Sequence, residues 1–451
     1  MARKAAKKSA IKAGMYLLET LTAGMYNDPL AIYREYIQNS ADSIDVALKV
    51  NPMISKKINV DLNPIEKSIT IFDRGTGISA ELAAGILSSV GLSSKKNLNL
   101  RGFRGIGRLG GLAFCDQATF RTKAKDEEIE SVQEWDCNKL RQLMSDTGKT
   151  TYSLKQLFDQ STTFYQKNGK KKAGSYFKVK LSGVQSFRNH VMDIKKVHDF
   201  LSVMAPVPFQ ADEMSFAKEI NKYLSTNIEN YSAYEIILNG EPVYKPYCDM
   251  VKLTSKGYDI IEGIEPFEIK VNESAVAYGW YGKRKDLLGA ITKGQMSSGI
   301  RVRVGNIQIG DNHMLDGCFR ESRFNSYMVG EIHVDSADLI PNSRRDDFVD
   351  NESKGLFYNQ IERELGLPIS KQIRLNSRLK SKKEAPTVQK ASQIVQPTTE
   401  SAVNNKPQEA VTQVVTSGNF AYETDLLAAI KTECKDCPVF SKLTKNILSE
   451  C

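Results

Sequence analysis

No apolar run in this chain is long enough to cross a bilayer, and the Lys-rich start, Ala2 to Ser9, lacks the apolar stretch of a secretory signal. No Gly-x-x-x-x-Gly-Lys-Ser/Thr loop occurs anywhere, which excludes a P-loop as the route to phosphate binding. Histidine is scarce: the 4 present, His190, His198, His313 and His333, do not have the spacing of a metal set. Two of them are expected on surface helices and two in or beside strands. The 7 cysteines are scattered apart from Cys434-Lys-Asp-Cys437. With Cys451 that pair could bind metal or oxidise, but there is no second ligand pair, so reduced thiols in the cytosol are expected. Charge of one sign is also lacking, since 62 Lys and Arg face 53 Asp and Glu for a net +9 over 451 residues. The basic excess gathers at Lys4 to Lys12, Lys167 to Lys180 and Lys371 to Lys383. Without aromatic interleaving or a DNA-reading motif, these clusters read either as nucleic-acid contacts or as solvated surface.

What is present lies in three stretches. In Glu35-Tyr-Ile-Gln-Asn39-Ser-Ala-Asp42, a helical period puts Glu35, Asn39 and Asp42 in one sector. Leu30, Tyr33, Ile37, Ala41, Ile44 and Leu48 fall in the opposite one. One face suits a core; the other is either a solvated surface or a set of oxygen ligands. The segment Lys67 to Phe72 alternates polar and β-branched residues, so it predicts a strand ending at Asp73. The glycines of Asp73-Arg-Gly75-Thr-Gly77 let the backbone bend and leave room for a flat ring beside the carboxylate, which can accept from an exocyclic amine. An Asp-Gly hairpin turn is the plainer alternative. The third stretch, Leu100 to Leu112, carries five glycines, among them Gly102, Gly105 and Gly107, with arginines interspersed. Such a loop can turn several N–H groups toward one anion, and Lys95 and Lys96 lie near enough along the chain to add charge. Its Gly105-Ile-Gly-Arg-Leu-Gly110 also fits a dinucleotide-binding pattern, but no apolar strand runs into it.

Taken together over about the first two hundred residues, the three stretches resemble the GHKL ATPase superfamily: gyrase, the ninety-kilodalton heat-shock chaperone, histidine kinases, MutL and the MORC proteins. The resemblance implies an α+β chain whose first domain is a Bergerat-type α/β sandwich, with helices lining an ATP pocket beneath a mobile lid. By that likeness Glu35 orients and deprotonates the attacking water, and Asn39 holds Mg2+. Asp42 supports that helix face and Asp73 takes the adenine amine. Gly75 and Gly77 floor the base pocket, while Gly102, Gly105 and Gly107 wrap the phosphates with Lys95 nearby. Ser175, at the head of the alternating segment Gly174 to Leu181, falls where the family usually has a Thr. A sensor kinase needs a phospho-accepting His on a helix before the ATP domain, and all four histidines come later.

Past Ser232 the runs Tyr234 to Leu238, Phe267 to Val271 and Gly299 to Val304 predict strands, with turns at Asn239-Gly240 and Lys256-Gly257. They suggest a second, α+β transducer domain. Its segment Gly330 to Phe348 resembles the middle segment of the heat-shock chaperone, in which an Arg reaches the terminal phosphate; Arg345 falls on that position, with Arg344 the alternative. The expected division is residues 1–205 for the ATPase domain, 206–375 for the transducer, 376–418 for a flexible tether and 419–451 for a short helical tail. The function expected is an Mg2+- and ATP-dependent conformational switch, cytoplasmic and with no membrane partner, in which ATP brings two protomers together as a homodimer. Its client is a protein, in the manner of a chaperone, or nucleic acid, in the manner of a MutL or MORC clamp in genome defence. A regulatory module that binds nucleotide without hydrolysing it is the further alternative.

Overall fold

The long helix α1 (Ala31–Val50) has no side chain capping its N-terminus and no acid in its first turn. A missing cap costs about 1 kcal/mol. Tyr33, Ile37, Ala41 and Ile44 are completely buried along one face, each large apolar side chain contributing roughly 1.5–3 kcal/mol. Packing, not capping, therefore holds α1, and the face expected to be apolar is buried.

The computed structural model of the chain describes residues 28–91, 105–145, 152–169, 174–185, 190–229, 231–255 and 257–381. Lys95, Gly102, the basic cluster Lys4 to Lys12, the cysteines Cys434, Cys437 and Cys451, and the expected tail helix lie outside the described residues. One compact unit comprises the chain up to Lys285 together with Gly289–Gly366; the other comprises Asp286–Leu288 and the chain from Leu367. In the latter, residues 367–381 are helical, so a helix occupies the first six positions of the expected tether.

The larger unit holds two sheets. The first is built from β1 (Lys57–Asn63), β2 (Ser68–Asp73), β3 (Gln117–Lys123), β4 (Ile129–Asp136), β5 (Thr162–Asn168), β6 (Tyr176–Ser182), β7 (Glu235–Leu238) and β8 (Glu241–Pro242). Its order is β5-β4-β3-β6-β2-β1-β7-β8. All pairs are antiparallel except β1 with β7. Helices α2 (Ala80–Ser88), α3 (Cys137–Ser145), α4 (Leu154–Ser161) and α5 (Ile194–Met204) contribute to the same core as α1. This is the helix-on-sheet sandwich expected for the first domain. Strand β7 lies past residue 205 in sequence yet extends this sheet: Asn239 and Gly240 both take positive φ in the two-residue turn to β8. The Asn239 side chain bonds both the N–H and the C=O of Leu62 at the end of β1.

The second sheet, of order β13-β12-β14-β11-β10-β9, follows α6 (Ala217–Asn227). Its strands are β9 (Met250–Lys252), β10 (Tyr258–Val271), β11 (Ser274–Arg284), β12 (Gly299–Val304), β13 (Ile307–Ile309) and β14 (Val329–Val334). A buried charge cluster joins it to the end of α5: Arg303 reaches Glu331 at 2.5 Å and donates to the carbonyl of Val203 at 2.7 Å. Lys245 donates to Glu331 at 2.6 Å and to Asn306 at 3.0 Å. Buried charges this close are tolerable because every partner is hydrogen-bonded. The histidines are placed less regularly than expected. His198 is on α5 and His333 in β14, whereas His190 lies outside any helix with φ 53° and His313 sits in a turn beyond β13.

Candidate functional site

The oxygen-bearing face of α1 is not a solvated surface. Glu35 and Asn39 are partly enclosed and Asp42 is fully buried. Gly107 opens a short 3-10 helix, Gly107–Ala113, that packs across the first turns of α1. A Cβ at Gly107 would lie 2.2 Å from Oε2 of Glu35. A side chain here would push the carboxylate aside, so the first and third stretches of the sequence do meet. The Tyr36 hydroxyl fixes the segment by donating to the carbonyl of Arg108 at 3.1 Å.

The second stretch also meets α1. Asp73 ends β2, is buried, and accepts from the N–H of Gly75 at 2.9 Å. The N–H of Thr76 donates to Ser43 Oγ at 3.1 Å, one residue past Asp42. The two glycines here are required by close packing. A Cβ at Gly75 would lie 2.2 Å from Ser43 Oγ, and one at Gly77, whose φ is +62°, would lie 2.0 Å from the Lys123 carbonyl. A side chain at either position would run into protein atoms. The loop is then tied down by Ile78, whose N–H donates to Thr122 Oγ1 at 2.8 Å. Ser175 immediately precedes β6, whose Phe177 is the ladder partner of Asp73, so the hydroxyl-bearing residue and the buried acid occupy the same sheet end.

From the far side, Arg345 brings its Nε to 3.8 Å from Glu35 Oε1. Arg34 Nε lies 3.5 Å from the same oxygen. Neither approach has hydrogen-bond length; they are charge contacts that hold the carboxylate between two guanidinium groups. Arg345 has φ +59° and is buried, with its carbonyl accepting from Gly310 at 2.9 Å. Arg344 is exposed, and its carbonyl accepts from Arg34 Nη2 at 3.1 Å. Of the two candidates, Arg345 is the one turned to Glu35. A cavity of about 540 Å³ opens beside this pair, lined among others by Arg34, Arg301, Arg344 and Arg345. Asp73, Gly75 and Gly77 do not line it.

Arg34 and Arg108 are the residues that sequence reasoning passed over. Arg34 sits beside Glu35 on a helix, where neighbours in sequence point different ways, and only its partner Arg344 reveals which way it turns. Arg108 follows the last glycine of Gly102-Phe-Arg-Gly105-Ile-Gly107, which was a signal available in the sequence.

Among the described residues no group of three His, Cys, Asp or Glu side chains could hold a metal by itself. Asn39 on the Glu35 face suits Mg2+, which takes its remaining ligands from phosphates and water. No described helix is long and apolar enough to cross a membrane. Residues 31–166 match the family model described as histidine kinase-, DNA gyrase B- and HSP90-like ATPase. No curated protein matches the chain.

Proposed function

Residues 31–166 belong to the histidine kinase-, DNA gyrase B- and HSP90-like ATPase superfamily, an ATP-binding family, and on that premise we propose that the protein is an Mg2+-dependent ATPase that works as a conformational switch. The observation that carries this reading is the approach of Arg345 to Glu35. A carboxylate suited to take a proton from water and a cation suited to stabilise a transferring phosphoryl group come from distant parts of the chain and meet at one point. Asp73 receives the adenine amine, Gly105 and Gly107 approach the phosphates, and Asn39 carries the Mg2+. The ion, when bound, neutralises charge on the phosphate oxygens.

Hydrolysis in this reading depends on the segment bearing Arg345 being docked on α1. The buried Arg303–Glu331–Lys245 cluster supports that coupling, because it ties the second sheet to the end of α5. ATP at a hundred times its dissociation constant adds only about 2.7 kcal/mol of bias. Docked and undocked forms must therefore lie within a few kcal/mol of each other, and turnover is slow. The switch acts on a macromolecular client, with two protomers paired in the ATP state. Stimulation of turnover by DNA that fades steeply with salt identifies a nucleic-acid clamp, and stimulation by an unfolded protein identifies a chaperone-like remodeller.

The test is steady-state turnover together with nucleotide affinity for Arg345→Ala and Arg344→Ala. Arg345→Ala is expected to lose about a thousandfold in rate with binding retained, and Arg344→Ala to stay near wild type. Unaltered turnover in Arg345→Ala would remove the docking step from the account.

A further inference from the structure

The first sheet turns one face to the core through Ile71 of β2, Val179 of β6 and Phe120 of β3, which stand in one ladder row. Alternation sends the neighbouring residues to the opposite face. There Lys178 stands between Phe72 and Arg121, and Lys180 between Thr70 and Thr119. None of these six is buried. Tyr176 shares the face: its ring centroid is 5.9 Å from that of Phe72, and its hydroxyl donates to Glu130 at 2.7 Å. Rings and cations thus interleave across strands, a pattern that the chain does not display along its length.

The charges on this face do not cancel. Arg121 is directly opposite Lys178, and like charges opposed across a ladder are destabilising. Arg121 donates from Nε and Nη2 to Glu130 at 2.6 and 2.9 Å, and Lys167 stands 3.6 Å from the same carboxylate, so Glu130 is already neutralised. Among the described residues neither Lys178 nor Lys180 forms an ion pair. The acids in the row of Lys180, Asp61 and Glu134, each stand two strands away from it. That is about 10 Å, beyond the screening length at physiological salt. A surface with free positive charge set among rings fits a chain of phosphates that carries unstacked, flat bases. A duplex does not fit, since its bases are reached only by an element narrow enough to enter a groove. An acidic peptide would engage the lysines but not the rings.

We infer that the outer face of β2, β6 and β3 binds single-stranded RNA, with phosphates on Lys178 and Lys180 and a base against Phe72 and Tyr176. RNA is the source because Thr70 and Thr119 flank Lys180 with hydroxyls that have no hydrogen-bond partner among the described residues. A 2′-hydroxyl can pair with either, and DNA has none. This goes beyond the ATPase reading and does not rest on it: α1, which carries Glu35, packs on the core side of the same sheet.

The experiment is fluorescence anisotropy of the full chain, without nucleotide, on labelled oligouridylate of about 12 nucleotides. Oligodeoxythymidylate, an RNA duplex and a polyglutamate peptide of similar length are compared with it. The variants are Lys178→Gln with Lys180→Gln, Phe72→Leu, and, as a control for net charge, Lys218→Gln with Lys222→Gln on the exposed side of α6. Oligouridylate is expected to bind more tightly than the other three. The β6 lysine variant should lose about tenfold in affinity, and its slope of log affinity against log salt should fall by about 1.4. Phe72→Leu should lose about five- to a hundredfold with the slope unchanged, and the α6 control should stay within about twofold of wild type. Removing the contact with Arg121 should leave the melting temperature of the β6 lysine variant at or above that of wild type. No binding of oligouridylate by wild type, an equal loss in the α6 control, unchanged affinity in the β6 lysine variant, or polyglutamate or DNA bound as tightly as RNA would each overturn the assignment. Because nucleotide is absent throughout, a failure of the ATPase reading leaves this result untouched.

Discussion

Arg345 Nε stands 3.8 Å from Glu35 Oε1, with Arg34 Nε 3.5 Å from the same oxygen. A helix near the start of the described chain and a turn near its end thereby share one carboxylate, while Gly107 abuts the other oxygen. Any chemistry assigned to Glu35 is consequently sensitive to the positions of three separate segments.

Glu35→Gln keeps the shape of the side chain and removes its basicity. Turnover is expected to fall by between about a hundred- and ten-thousandfold, while ATP affinity holds or tightens, because a negative charge is lost beside Gly107, where the proposed function puts the phosphates. Single-turnover hydrolysis alongside equilibrium binding checks this, and retained turnover would exclude Glu35 as the base.

Asp73→Asn separates binding from folding. The amide oxygen still accepts from the N–H of Gly75, as Asp73 does at 2.9 Å, so the denaturation midpoint should stay near that of wild type. An Asn donor turned to the adenine amine is a mismatch, and affinity should fall at least about tenfold. Wild-type affinity would place the adenine elsewhere.

Gly107→Ala and Gly77→Ala are expected to fail in different ways. At Gly107 the new methyl meets the far end of the Glu35 side chain at 2.2 Å; the carboxylate moves aside, and turnover drops by an order of magnitude or more with little loss of stability. At Gly77 the methyl meets the Lys123 carbonyl at 2.0 Å with φ at +62°, and the backbone has no easy escape. That variant should lose more than about 1 kcal/mol in a urea titration.

Acid should destabilise the second sheet. Burial pushes the His333 imidazole down to about 4, with Lys245 and Arg303 acting in the same direction and Glu331 opposing them. The neutral ring is 3.0 Å from Glu331 Oε2 and is packed edge-on to Tyr231. An unfolded chain takes up that proton near pH 6.5, so the stability contributed by neutral His333 is complete above pH 6.5 and is lost as pH falls toward 4. The loss amounts to about 3 kcal/mol. Urea midpoints measured across that range should slope downward with acid in wild type, and less so in His333→Gln.

The legible parts of this molecule were those governed by local period and turn chemistry. Tyr33, Ile37, Ala41 and Ile44 read as a buried helical face, and the alternation after Lys67 read as a strand ending at Asp73. Asn239-Gly240 read as a turn, and all three are so. What escaped depends on long-range pairing. β7 reads as a strand, but nothing in its four residues says that it runs parallel to β1 and not within a second sheet. The packing reason for Gly75 and Gly77 lies in Ser43 and Lys123, which come from other elements. Likewise, the choice of Arg345 over Arg344 follows from a left-handed backbone at Arg345 that turns its side chain toward Glu35, and sequence position alone does not fix it.

The most direct measurement of the central claim is isothermal titration of the full chain with ATP in the presence of Mg2+. Saturable heat whose affinity falls at least about tenfold in Asp73→Asn is the predicted outcome. A flat titration of the wild-type protein at millimolar ATP would contradict it.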